Sequence, residues 1–185
     1  MIHPRFFGYG SLVNTRTHSY PDPRKARLDG WRREWRSTDH HPYAFLSAHP
    51  SEGTALDGLT ADVPNHDWAA LDAREAGYER QDVTGRITGG HPEATQIAVY
   101  QVTTPAGPEF KPILLSYLDV VVQGYLATFG EAGVADFFAT TDRWETGLLD
   151  DRAAPLYPRA QTLTSTERDH VDAALARLDI PKEVA

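Results

Sequence analysis

At 185 residues the chain is long enough for one domain with a sizeable core and too short for two to be the expectation. A formal net charge of −8 excludes a binder of nucleic-acid backbone, which needs a basic face. Cysteine is absent, and that excludes thiol catalysis, disulfides and Cys-ligated zinc.

In chain order, Phe6-Phe7 followed by Gly8-Tyr9-Gly10 predicts a short buried strand that breaks into a turn. Asn14 to Lys25, with Pro21 and Pro23, reads as polar and irregular. Strands are expected over Ala26–Trp35, Tyr43–Ala48 and Leu56–Val63, separated by the turn-rich pieces "DHHP" and "HPSEG". The period then changes. Asn65 or Asp67 can cap a helix from Trp68 to Glu75, and Gly77 suits its C-terminal stop. Further strands are expected over Tyr78–Ile87 and Thr95–Val102, with Gly89-Gly90 as the turn between them. The final third reads as helical. Pro112 suits the first turn of a helix through "ILLSYLDVVVQGYLATF", although Val120–Val122 is a β-branched run inside it. "EAGVADFFATTDRW" offers a second helix, and Thr164 with Glu167 forms a capping box for "TERDHVDAALARL". The fold class is therefore α+β, a mostly antiparallel sheet or barrel first and helices afterwards.

The glycine turn fails the known nucleotide patterns. Val13 stands where G-x-G-x-x-G needs its third glycine, the Gly-Lys-Ser/Thr triplet is missing, and Tyr9 breaks G-x-S-x-G. What it supplies is backbone: amides from Tyr9 to Leu12 can converge on an anion, with the Ser11 hydroxyl beside them. The alternative is a tight turn with a core tyrosine. On the later helix Trp68, Leu71 and Glu75 share one face, with Asp72 and Arg74 elsewhere. A carboxylate on an apolar face is costly to ionise, so its pKa rises and suits it to carry protons near neutrality. The alternative is Glu75 paired with Arg74, Arg80 or another arginine, or frayed into solvent.

Other groups carry less. His40, His41, His49 and Asp39 straddle a turn and a strand, without the helical spacing of a zinc site, so no metal is expected. Arg32, Arg33 and Arg36 read as a solvated strand face, one of which can meet a substrate carboxylate. Phe137, Phe138, Trp144, Tyr117 and Tyr125 read as core. The N-terminus lacks a signal-peptide pattern and no apolar run reaches a bilayer span, so a cytoplasmic location without membrane contact is expected.

Taken together, "FFGYGSL" and the later "LDAREAGY" resemble the γ-glutamylcyclotransferase-like superfamily. "ARLDGWRREW", "GLTADV" and "SYLDVVVQGY" are similar as well. The resemblance runs from about Phe6 to Trp144 of a single domain spanning 1–185, and the C-terminal helical extension 145–185 lies outside it. It implies a small mixed β-barrel with flanking helices, a glycine turn that binds a γ-glutamyl group through backbone amides, and one glutamate as acid and base. By motif, the substrate-binding residues are Phe6, Phe7, Gly8, Tyr9, Gly10, Ser11 and Leu12, with Tyr100 and Tyr117 as pocket tyrosines. Glu75 takes the catalytic position in preference to Glu79, which belongs to the next strand.

The implied reaction is attack of the substrate's α-amine on its own γ-carbonyl, releasing 5-oxoproline and an amine or amino acid. No cofactor is required. The implied partner is a small γ-glutamyl compound. Two other readings remain: a non-catalytic binder of an amino-acid-like metabolite, or a hydrolase of another small amide or ester with Glu75 activating water. For the extension, a lid, a homodimer contact and plain packing are equally open.

Overall fold

Arg5 to Gly8 form β1, a strand buried along its whole length and the axis about which the sheet is built. The structure is a computed structural model that describes residues 4–39, 41–104, 109–180 and 182–184. After β1 come β2 (Arg24–Arg36), β3 (Phe45–Asp62), α1 (Trp68–Arg74), β4 (Glu79–Asp82), β5 (Ile87–Gly89) and β6 (Ile97–Gln101). Then follow β7 (Ile113–Leu114), α2 (Leu115–Ala139), β8 (Thr141–Asp142), β9 (Leu148–Asp150), α3 (Ser165–Leu178) and β10 (Lys182–Val184).

The main sheet has the order β4-β6-β1-β3-β2-β5, with β8 beside β2, and a smaller sheet joins β10, β9 and β7. In the main sheet β1–β6 and β2–β8 are parallel and the other pairings antiparallel. The result is a curled, mostly antiparallel half-barrel with three helices, as expected of an α+β chain. Alternation along β1 sends its two phenylalanines to different cores. Phe7 joins the large cluster with α2, while Phe6 joins Leu12, Ala61, Val63, Leu71 and Tyr100 under α1.

Several expectations are redrawn. "HPSEG" is no turn between strands but lies inside β3, where the register with β2 shifts between Asp29↔Ala55 and Trp31↔Pro50. The Thr54 hydroxyl closes this bulge against the carbonyls of Trp31 at 2.9 Å and Ser51 at 2.7 Å. Pro112 precedes a strand instead of opening a helix, because Ile113 donates to the Gly147 carbonyl at 2.9 Å and pairs with Leu148. The two expected helices of the final third are two segments of α2 meeting at Gly130, whose φ of +71° breaks the helical path. Val120–Val122 is helical and fully buried. The C-terminal stretch contains the capped α3, as expected, but β9 and β10 as well. Among the described residues no helix is long and apolar enough to cross a membrane.

The bulge also changes which arginine faces inward. In β2 the buried positions are Ala26 and Leu28 before it, and Trp31, Arg33 and Trp35 after it. Gly30 (φ +75°) absorbs the extra residue, and the alternation switches parity. Arg32 and Arg36 therefore pair at the periphery with Asp142 and Glu34. Arg33, expected on a solvated face, is completely buried. Its Nε donates to the Tyr9 carbonyl at 3.0 Å, Nη2 to the Asp57 carbonyl at 2.8 Å and Nη1 to the Thr140 hydroxyl at 2.6 Å. The Tyr125 hydroxyl contacts the same guanidinium and the Tyr9 and Asp57 carbonyls, at 2.9 and 2.7 Å. The rings of Tyr125 and Phe137 lie 5.1 and 5.2 Å from the guanidinium carbon. One cation thus ties the turn after β1 to β3 and to the end of α2. Arg33→Ala should cost more than about 3 kcal/mol, because it opens a cavity and strips buried carbonyls of donors. Tyr125→Phe should cost about 1–2 kcal/mol, and urea midpoints at unchanged m check both.

Candidate active site

Beyond β1 the chain closes into a tight turn. Val13 donates to the Gly10 carbonyl at 2.9 Å and Asn14 to the Ser11 carbonyl at 3.1 Å. The Asn14 side chain then donates to the Val120 carbonyl and to Gln123 Oε1, both at 2.9 Å, which fixes the turn against α2. Gly10 is required by close approach, since a Cβ there would lie 2.7 Å from the Tyr117 hydroxyl. Tyr9 turns its own hydroxyl inward, to the Tyr100 carbonyl at 2.6 Å.

The second component is the end of α1. Asp67 caps the helix through the Ala70 amide at 3.2 Å, and fully buried Leu71 anchors its inner face. Glu75 is the C-cap, its amide donating to the Leu71 carbonyl at 2.9 Å, and Gly77 (φ +95°) turns the chain away. The Glu75 side chain is only 15% exposed, and its Oε1 accepts from Arg74 Nε at 2.9 Å. Sequence spacing puts Arg74 on another face. The two meet because the helical path ends between them, at a Glu75 ψ of 35°. Arg74 is itself fixed, with Nη1 on the Thr17 carbonyl at 2.9 Å and Nη2 on the Thr17 hydroxyl at 3.1 Å. Burial raises the Glu75 pKa; the charges of Arg74 and Arg159 oppose it without cancelling it. The inward carboxylate and the Arg74 pair, alternatives in the sequence, are thus one arrangement.

The two components meet in a cavity of two parts. The inner part, of about 20 Å³, is lined by every residue from Phe7 to Leu12 together with Glu75, Tyr78, Tyr100 and Tyr117. The outer part, of about 270 Å³, shares Ser11, Leu46, Glu75, Tyr78 and Tyr117 and opens past Phe45, Tyr157 and Arg159. Of the residues singled out by sequence, only Phe6 is elsewhere, edge-on to His18 and Tyr20 in the core beneath α1. Tyr100 borders the cavity, but its hydroxyl donates to Asp72 at 2.6 Å, so its ring belongs to that second core. Glu79 is in β4, exposed and outside both parts.

Sequence reasoning named Arg74 only as a rival partner for Glu75 and missed Tyr78, Tyr157 and Arg159. Tyr78 closes the "LDAREAGY" motif, which was its signal; its hydroxyl donates to the Leu46 carbonyl at 2.9 Å. Burial, then neighbouring phenols and Glu75, hold the Tyr78 and Tyr117 pKa values well above that of a free phenol, so both stay neutral donors. The Tyr117 proton has no acceptor among the described residues, which leaves it available to a ligand. Tyr157 meets the Tyr117 ring edge-on at 5.0 Å between centroids.

Of the histidines, His40 lies outside the described residues, His41 borders the outer cavity against Phe45, and His49 Nδ1 is 3.7 Å from Glu34. Another trio, Asp22, Asp62 and His91, has ligand atoms within 4.8 Å of one another. Arg5 pairs with both of its carboxylates and so supplies their cation.

The Gly10–Tyr117 contact can be tested by a double-mutant cycle. Gly10→Ala should cost about 1–3 kcal/mol through overpacking. Tyr117→Phe in that background should recover part of it by removing the clashing oxygen, as urea midpoints of the four proteins will read.

A family model described as gamma-glutamyl cyclotransferase, AIG2-like, matches residues 6–118. No curated protein matches the chain. A solved structure named gamma-glutamyl cyclotransferase is 14% identical with a TM-score of 0.59, over 92% of this chain and 98% of that one. An uncharacterised protein from Homo sapiens is 13% identical with a TM-score of 0.60, over 93% and 99%. YkqA from Bacillus subtilis is 16% identical with a TM-score of 0.55, over 72% of this chain but 52% of its own. At these identities the solved structures share the fold. The family match spans more than half of the chain, which belongs to the gamma-glutamyl cyclotransferase, AIG2-like family.

Proposed function

We propose that the chain is a γ-glutamylcyclotransferase that cleaves a small γ-glutamyl amide by intramolecular attack, with Glu75 as acid and base. The observation that carries this is the meeting of the glycine turn and the Glu75 carboxyl at one small inner cavity. The nucleophile is the substrate's own α-amine, so the protein needs no nucleophilic side chain; it has to fold the substrate into the attacking conformer. The turn, Glu75 and the buried phenols Tyr78 and Tyr117 converge where the inner cavity of about 20 Å³ opens into the outer one of about 270 Å³, which suits that restraint.

The α-amine arrives as an ammonium. The Glu75 carboxylate takes one proton, the freed amine adds to the γ-carbonyl, and the C–O bond becomes an oxyanion. Glu75 hands the first proton to the leaving nitrogen and takes the second from the attacking nitrogen. Collapse of the intermediate breaks the γ-carbon–nitrogen bond, and the departing amine carries off both protons as an ammonium. The lactam is 5-oxoproline, and no water is consumed. Backbone amides of the turn and the Tyr117 hydroxyl are the donors for the oxyanion or for the α-carboxylate. Arg74 keeps the buried carboxyl ionisable while burial keeps it basic.

Incubation with γ-glutamyl compounds should release 5-oxoproline, and Glu75→Gln should lower kcat/KM by about 10²–10⁴-fold. Turnover undiminished in Glu75→Gln, or tight binding without product, overturns the reading. The base must be ionised and its pKa is raised, so activity falls on acidification with a limb above the ordinary carboxylate range of about 4 to 4.5. Arg74→Gln removes a charge that lowers this pKa and should move the limb to still higher pH in a kcat/KM profile.

A further inference from the structure

We propose that the outer cavity selects a leaving group that bears its own carboxylate on an apolar body, with Arg159 as the residue that binds this carboxylate. The inference rests on the cyclotransferase reading and names its substrate class: γ-glutamyl dipeptides with an apolar or aromatic second residue, in preference to γ-glutamyl amines.

Four observations carry it. The inner cavity, at about 20 Å³, admits a single small group such as the reacting carbonyl, so the body of the substrate, leaving group included, lies in the adjoining outer part of about 270 Å³. The outer wall is largely apolar, with Tyr43, Phe45, Leu114, Leu156 and Tyr157 on it. Two arginines line it, and only one is committed: Arg74 holds Glu75 and Thr17. Among the described residues Arg159 has no carboxylate within 4 Å, and its guanidinium is the unspent cation of the cavity.

The segment that presents Arg159 is held in place, which makes it a wall and not a loose loop. Asp151, 1% exposed, accepts from the Ser116 amide at 2.8 Å, the Ser116 hydroxyl at 2.5 Å and the Leu156 amide at 2.8 Å. Arg152 grips Asp119 of α2 with two hydrogen bonds, at 2.8 and 2.7 Å, and Asp172 of α3 at 2.8 Å. A planar guanidinium carried on this held segment and lining the same cavity as these apolar side chains matches a carboxylate whose side chain lies against them.

The test compares γ-glutamyl-phenylalanine with γ-glutamyl-phenethylamine, which differ in the leaving-group carboxylate alone. The wild-type protein should favour the first at least about tenfold in kcat/KM, mainly through KM, since a carboxylate remote from the reacting carbon is bound alike in ground and transition states. Arg159→Gln should abolish that preference by raising KM for the dipeptide and not for the amine. Because the Arg159 charge also lowers the Glu75 pKa, the acidic limb should move up alike for both compounds, so the comparison is made on the plateau above it. Arg159→Lys should restore part of the preference. Equal loss on both compounds would place Arg159 on the shared α-carboxylate and overturn the inference, as would no change on either. Calorimetry with Glu75→Gln protein reads the same preference without turnover. Absence of 5-oxoproline from both compounds overturns the cyclotransferase reading, while turnover of both without preference overturns only the assignment of Arg159.

Discussion

The guanidinium of Arg33 holds together the parts on which the site depends. A buried cation with no carboxylate partner must be satisfied by dipoles, and here the dipoles are two backbone carbonyls, Tyr9 and Asp57, and two hydroxyls. Tyr9 belongs to the glycine turn, Asp57 to the long strand paired with β1, and Thr140 to the end of α2. Arg33 thus fixes the Tyr9 carbonyl within the turn whose residues line the inner cavity. The aromatic faces of Tyr125 and Phe137 complete the shell. Burial, opposed by Arg33, pushes the Tyr125 phenol up to about 12, so its hydroxyl remains a donor throughout the range in which a carboxylate base operates.

The same opposition of burial and an arginine recurs at Glu75, with a different balance. At Tyr125 the arginine is satisfied by neutral groups; at Glu75 it meets an acid. Burial raises the pKa of this carboxyl, the Arg74 charge and hydrogen bond lower it, and the net direction is upward. Arg74 spends its Nη groups on Thr17, and only Nε reaches Oε1, so one carboxyl oxygen stays free to face the cavity. Placing the acid at the C-cap rather than inside α1 makes this possible. Consecutive residues of a helix point about 100° apart, and only the break after Arg74 lets neighbours share one hydrogen bond.

Much of this was legible in the sequence, for reasons that differ by element. Phe6-Phe7 before the glycines, the Asp67 cap and the Thr164–Glu167 box are local signals, and local signals survive into the fold. The inward face of Glu75 was legible because about one helical turn relates it to Leu71 and about two relate it to Trp68. Arg33 was misread because the bulge at Gly30 changes strand parity. The trace was there, in the three-residue step from Leu28 to Trp31 across a glycine and in the two tryptophans flanking Arg33. Phe6 was overassigned because a motif names consecutive residues, whereas a strand delivers only alternate ones to a given side. Tyr157 and Arg159 carried no signal, since their segment has no periodicity and its contacts to Tyr117 and the Glu75 region span some 40 to 84 positions of chain.

That last group has a consequence for how the site is divided. The inner cavity is built almost wholly from residues within 6–118, the stretch the family model matches, whereas Leu156, Tyr157, Pro158 and Arg159 of the outer wall lie beyond it. The wall is held by Asp151 and Arg152, whose partners Ser116, Asp119 and Asp172 are on α2 and α3 and do not touch the inner cavity. Glu75 is positioned by α1 and, through Arg74, by Thr17, whereas the wall is held by Asp151 and Arg152 on the first turns of α2, and the two meet at Tyr117, against which Tyr157 packs. Side chains 157 and 159 line the outer cavity and not the inner one, and they reach the inner residues through the Tyr117 ring and the Arg159 charge on Glu75. On the proposed reaction, the inner cavity that takes the reacting carbonyl lies within the family-matched stretch, while the segment after β9 supplies part of the outer wall that faces the departing amine.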